Sequence, residues 1–277
     1  SPGAASGWRQ PPPQCLVDTM ASGGFFGGGG LGSVPKDCWR TRRARKLAGT
    51  EEAWQRQLLR NRNPELEGIE TWAHVLDRPE KGCVLLAQPR MFSSDQSYFV
   101  QSVIFVAEHN PDGTIGVILN RPTDYKLGEV ADVPVELANV ELHFGGDVGN
   151  RGTLQMIHPC GDVKNAKEVI PGVFTSGDVF DAANRIRLGF ARPAQFRFFV
   201  QAAGWSPGQL QAEIDAGVWH CVATSPSVVL KRCWRLPKSL WQEVMELLGD
   251  QYAIAAERDM APISLQTANS DSDDWDD

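Results

Sequence analysis

Two short apolar runs, residues 102–107 and 115–119, flank Asn110-Pro111-Asp112-Gly113. Proline presets φ at the turn and Asp-Gly completes the reversal, so the pair predicts a β-hairpin. Runs of the same length recur at Val84–Ala87, 140–144, 153–157, 196–203 and 218–223. The most apolar stretches are broken by Gln or Arg. None approaches the eighteen residues of a membrane-crossing helix, so strands are expected and no transmembrane segment is.

Helical patterns fall between and after these runs. Thr175 or Ser176 can cap a helix over 178–188 that Gly189 ends. Ser206-Pro207-Gly208-Gln209 reads as N-cap, N1 and N3 of a capping box, with Leu210 and Ile214 turned inward and a stop near Gly217. A last helix is expected over 238–248, where Leu240, Trp241, Val244, Leu247 and Leu248 share a face. Strands and helices in this order predict one compact α+β domain over 80–250.

The ends differ in composition. Residues 1–35 carry a triple proline and a glycine-rich run, too little apolar surface to offset the entropy of ordering. Their Ser, Pro, Gly and Ala content resembles the remnant of an organelle transit peptide. Residues 36–79 read as a basic helical extension. Arg40, Arg42, Arg43, Arg45 and Lys46 form a charged run, and Thr50 can cap a further turn. Residues 251–277 are expected to be an acidic disordered tail.

Charge follows the same division. Residues 1–62 hold 10 Lys/Arg against 4 Asp/Glu, and residues 63–277 hold 17 against 30. The acidic body repels phosphate backbones, which argues against nucleic-acid binding through the main domain. A protein partner suits such oppositely charged parts better. The sequence does not specify an oligomeric state.

The common catalytic patterns are missing. There is no Gly-x-Ser-x-Gly elbow, no phosphate-cradling glycine loop and no HExxH. The six cysteines make no CxxC pair, so no metal site is expected. Cys83 and Cys221 lie in strand-like runs and read as core thiols. The five histidines are scattered singly. Glu108 and His109 are adjacent, but neighbours on a strand face opposite ways. No catalytic residue and no cofactor is therefore expected.

Five residues stand out as ligand-binding candidates. Pro122 is expected to end a strand and leave Arg121, beside Asn120, projecting its guanidinium toward a carboxylate or phosphate. Gly145-Gly146 permits a tight turn, a close backbone approach or an anion cradle. Asp178 sits in a helix first turn, where the dipole favours an acid.

The same residues carry a resemblance. Lys81 to Ala87, Glu108-His109-Asn110, Gly116 to Pro122, His143-Phe144-Gly145-Gly146, Thr175 to Asp178, and Ala203-Gly204-Trp205 with Gly208-Gln209-Leu210 resemble, in order, the YqgE/AlgH family. Trp72-Ala73-His74, Phe196 to Val200 and Gly249 to Tyr252 are similar to its plastid-type, plant and algal branch. The resemblance implies a coiled, largely antiparallel sheet flanked by helices, and a chloroplast location in the stroma or at the periphery of a plastid complex. It implies no established reaction. Asp147 departs from the family's usual proline after Gly-Gly and would oppose an anion there.

Three readings follow. One is a non-catalytic binding or regulatory protein. Another is an enzyme acting on a phosphorylated or carboxylated small molecule. The last is a transcriptional regulator, as the family's name suggests.

Overall fold

The computed structural model describes residues 39–49, 71–149, 153–233 and 238–260. The expected leader over 1–35, the cap at Thr50 and the tail beyond residue 260 lie outside them.

Strands form two six-stranded sheets. The first holds β1 (Ala73–Val75), β2 (Val84–Ala87), β3 (Val103–Asn110), β4 (Gly113–Ile118), β11 (Ala203–Trp205) and β12 (Trp219–Thr224). Their spatial order is β1-β12-β2-β3-β4-β11, antiparallel throughout. The second holds β5 (Pro122–Lys126), β6 (Glu141–Phe144), β7 (Leu154–His158), β8 (Lys167–Ile170), β9 (Val173–Thr175) and β10 (Arg197–Val200), in the order β5-β6-β10-β7-β9-β8. Only β6 and β10 run parallel. The expected α+β fold with largely antiparallel pairing stands, and the predicted hairpin is β3–β4.

Eight α-helices lie among the described residues: α1 (Trp39–Ala48), α2 (Leu127–Val130), α3 (Val135–Ala138), α4 (Val179–Arg187), α5 (Gln209–Asp215), α6 (Pro226–Val229), α7 (Leu240–Leu248) and α8 (Asp250–Met260). Strand alternation distributes the apolar side chains among three cores. Val84, Leu86, Val103 and Phe105 meet Ile157 and Phe199 of the second sheet, together with Trp241 and Val244 of α7. Cys83, Leu85, Ile104 and Cys221 point the other way, toward Ala44 of α1 and Leu210 of α5. Leu142, Phe198 and Val200 face the second sheet's far side, under α2, α3 and α4.

The indole nitrogens that enter these layers are paired. The buried Trp241 indole donates to Ala87 O at 2.9 Å. Glu213 Oε2 accepts from the indoles of Trp205 (2.8 Å) and Trp219 (2.7 Å), tying α5 to both strands. Trp205 therefore packs on the core, and Cys83 and Cys221 are buried as the sequence suggested.

Several expectations need correction. Residues 196–203 form two strands in different sheets, because Gln201 takes φ 63° and turns the chain between β10 and β11. Pro122 begins β5 instead of ending a strand; β5 is an edge strand, and a first position there tolerates a missing N–H. The N-cap of α4 is Asp178. Thr175 is committed to β9 and Ser176 sits at φ 61°, so extended N-cap geometry is first reached at Asp178. Regular helix at α5 starts only at Gln209, although Gln209 Oε1 still accepts from Ser206 N–H at 3.0 Å.

The expected boundaries shift as well. The extension over 36–79 contributes β1 to the first sheet and Trp72 to its core, because β1 pairs with β12. Its α1 docks through Arg40, which bonds Glu80 Oε1 and Gly82 O at 3.0 Å each. The tail assigned from residue 251 begins as helix, since α8 runs to Met260 and buries Ala256 against α7's core.

Candidate functional site

The parallel pair β6–β10 borders a cavity lined by both charged and apolar side chains. Its register aligns His143 with Phe199, which places Glu141 beside Arg197 two positions earlier. On a pleated strand residues two apart share a face, so Glu141, His143, Arg197 and Phe199 form one patch. That patch opens on a pocket of about 310 Å³, closed by Glu136, Val140, Pro193, Phe196, Arg232 and Cys233 among others.

Arg197 dominates this pocket. It is 4 % exposed. Its Nη1 donates to Val229 O at 2.9 Å and its Nη2 to Leu119 O at 2.6 Å, while Nε has no partner. The guanidinium lies 5.1 Å from the Phe199 ring centroid, a cation–π contact. Nη2 also approaches Cys233 Sγ at 3.8 Å. Both carbonyl acceptors are neutral, so the buried positive charge is hydrogen-bonded without being neutralised.

His143 lies against Phe199, with ring centroids 5.3 Å apart, and its Nδ1 is without a partner. Burial first, and then the nearby Arg197 charge, push its pKa down to about 3. The imidazole is neutral at physiological pH. Burial likewise raises the Cys233 thiol, against the opposing pull of Arg197. Arg232 bonds Glu141 Oε2 at 3.0 Å, and Glu136 Oε1 accepts from Arg187 at 2.8 Å, leaving Glu136 Oε2 unpartnered.

The five candidates from the sequence sit elsewhere. Asn120 and Arg121 line a second depression of about 300 Å³ with Gln101 and Lys238, and Cys233 borders both cavities. Arg121 does not project outward. It folds back to donate to Tyr98 O and Asn120 O at 3.0 Å each and to Val100 O. Burial lowers its pKa. Asn120 Oδ1 accepts from Val103 N–H and its Nδ2 donates to Gln101 O, both at 2.9 Å. Together they fasten the segment before β3.

Gly145 and Gly146 lie at the crossing between the sheets. Gly145 N–H donates to Val200 O at 2.8 Å, so it is not free to cradle an anion; Gly145 O accepts from Ile118 N–H at 2.9 Å. A Cβ on Gly145 would come within 2.4 Å of Gln201 O, and one on Gly146 within 2.2 Å of the Ala202 carbonyl carbon. Of the readings open to this pair, close backbone approach is the one the geometry supports. Phe144 N–H donates to Arg121 O at 2.8 Å, which brings these glycines beside Asn120 and Arg121. Asp178 belongs to a different place. It follows β9, three strand positions from β6, or roughly 14 Å at normal spacing. Its Oδ1 accepts from Phe180 N–H at 2.9 Å and Asp181 N–H at 3.1 Å.

Glu108 and His109 do not cooperate either. His109 Nδ1 pairs with Thr114 Oγ1 at 2.7 Å across the hairpin. Sequence reasoning missed Arg197 and the His143 pocket. A usable signal was present: an arginine inside the apolar run Phe196-Arg197-Phe198-Phe199-Val200 marks a buried charge.

Fold and pocket together define a helix-flanked, two-sheet α+β domain with a cavity at the one parallel strand pair among the described residues. Residues 84–253 match the family described as AlgH-like, and the chain belongs to that family. It is 33 % identical over 181 residues to a UPF0301 protein of Pelodictyon phaeoclathratiforme, covering 65 % of this chain and 92 % of that protein. A UPF0301 protein of Thermobifida fusca is 34 % identical over 197 residues, covering 66 % and 94 % respectively. Among solved structures, protein DIP2367 from Corynebacterium diphtheriae is similar, with a TM-score of 0.51 and 25 % identity. That match covers 65 % of this chain and 92 % of the other.

Among the described residues no helix is long and apolar enough to cross a membrane, and no group of three or more His, Cys, Asp or Glu is placed to hold a metal ion.

Proposed function

We propose that this chain is a non-catalytic binding or regulatory protein whose working surface is the cavity around Arg197 and His143. The observation that carries this reading is the state of the cavity's two potentially reactive groups. An imidazole with a pKa near 3 is a weak base, and a thiol with a raised pKa stays protonated and poorly nucleophilic. Both are poised for recognition and against chemistry.

The reading includes a protein partner and a chloroplast setting. Support for that setting comes from the Ser-, Pro-, Gly- and Ala-rich leader, and for the partner from the opposite charges of the basic segment and the acidic body.

Affinity capture from chloroplast extract at two salt concentrations tests the partner. The reading expects a reproducible partner that weakens at the higher salt. Absence of any reproducible partner at both salts counts against it. Iodoacetamide labelling tests the chemistry: Cys233 should react far more slowly at pH 7 than a free thiol. Rapid labelling would point to a nucleophile instead.

A further inference from the structure

We propose that the cavity at the β6–β10 pair binds a small zwitterion of the α-amino-acid class, with its carboxylate on Arg197 and His143 and its ammonium on Glu136. The inference deepens the binding reading above and rests on it only for the role that such binding serves.

The argument starts from Arg197. A charge this deeply buried is costly unless an opposite charge or a full set of hydrogen bonds compensates it. Among the described residues no carboxylate is ion-paired to it. Glu141, beside it across the strand pair, is already engaged by Arg232. Two of its donors are spent on backbone carbonyls, and Nε remains without an acceptor while the residue lines an open cavity. His143 lines the same cavity with Nδ1 equally unpartnered. In one tautomer of the neutral ring that nitrogen carries the proton. One carboxylate would place an oxygen on each of these two N–H groups, which lie on neighbouring strands.

The lining charges determine the rest of the ligand. Glu141 is paired with Arg232 and Glu136 with Arg187, so Arg197 is left as one uncompensated charge, which suits a monoanion such as a carboxylate better than a dianion such as a phosphate. Glu136 retains an unpartnered Oε2, an acceptor suited to an ammonium group. A small zwitterion satisfies Nε, Nδ1 and Oε2 together with charge-assisted hydrogen bonds at both ends. The remaining wall is apolar, from Val140, Pro193 and Phe196, and suits an aliphatic side chain. The volume of about 310 Å³ lies at the small end of small-molecule sites.

The test is a thermal-shift and calorimetric panel on the full chain. The probes are L-leucine, N-acetyl-leucine, leucine methyl ester, 4-methylpentanoate and inorganic phosphate. L-leucine alone should bind strongly. At 100 times its Kd it should move the folded-to-unfolded ratio about 100-fold. Each derivative that lacks one charge should bind roughly tenfold or more weakly. Glu136→Gln, a change on a partly exposed helix residue, should abolish the preference for L-leucine over 4-methylpentanoate. Arg197→Lys should remove binding of both.

If Arg197→Lys fails to fold, chemical shifts of the wild-type His143 ring during the leucine titration replace it, and they should move saturably. Equal binding of leucine and 4-methylpentanoate by the wild type overturns the zwitterion assignment. Binding of phosphate alone, or of no probe, overturns the proposal. Partner capture is measured separately, so loss of this ligand and loss of the binding reading are distinguishable.

Discussion

The Tyr98 hydroxyl donates to Asp147 Oδ2 at 2.8 Å. This pair spans the crossing between the two sheets, because Tyr98 O also accepts from Arg121 Nε and Tyr98 packs edge-on against Phe144. The acid at position 147, unexpected in the sequence, thus has a structural partner. Burial, followed by the Asp147 hydrogen bond and charge, raises the Tyr98 pKa to about 12. Asp147→Asn should lower that pKa toward 10 without restoring it fully, since burial remains. Titration of 13C-labelled tyrosine by NMR measures it, and an unchanged Tyr98 would show that the pair does not form.

Gly146 sits at φ 150°, where an added Cβ would collide with the Ala202 carbonyl. Gly146→Ala should destabilise the domain by roughly 2 kcal/mol or more, from backbone strain and overpacking. Gly189→Ala provides the control. It shares a positive φ but has open space around it, so it should cost only about 1 kcal/mol. Urea denaturation of both variants separates crowding from φ strain.

Acid sensitivity should centre on His143. Its folded pKa lies near 3, below the unfolded value of about 6.5, so the unfolded chain binds more protons between those limits. The stability from burying it neutral is present above pH 6.5 and is lost as pH falls toward 3. The limiting slope for one such group is about 1.4 kcal/mol per pH unit. His143→Gln should flatten the stability profile in that window. His74, His158 and His220 shift the same way through burial, so some slope should remain.

Arg121 offers a clean separation of structure from recognition. Three backbone carbonyls depend on its guanidinium, including Tyr98 O and Asn120 O. Arg121→Lys cannot reproduce that fork and should cost about 1–3 kcal/mol in stability. Ligand binding at the Arg197 cavity should be unchanged. Calorimetry on the variant reads both quantities.

Local chemistry made much of the fold legible. The Pro-Asp-Gly turn, the last helix and the stop near Gly217 all correspond to observed elements. The division into two sheets was not legible, because it turns on Gln201, a non-glycine residue holding φ 63° only through tertiary context. Strands β8 and β9 were missed because Lys167, Glu168 and the flanking Gly172 give no apolar run.

The site was harder still. Arg121 looks like a projecting anion hook in sequence, and only the fold shows its acceptors to be nearby carbonyls. Arg197 and His143, 54 residues apart in the chain, become neighbours only through the parallel pairing of β6 and β10. No local pattern encodes that pairing.

The most direct measurement follows the side-chain nitrogens of Arg197 and His143 by 15N NMR as L-leucine is added to the wild-type protein. Arg197 Nε and His143 Nδ1 should shift together and saturably, with Arg121 Nε unmoved. A titration that leaves both cavity nitrogens in place, or that moves Arg121 instead, would contradict the account.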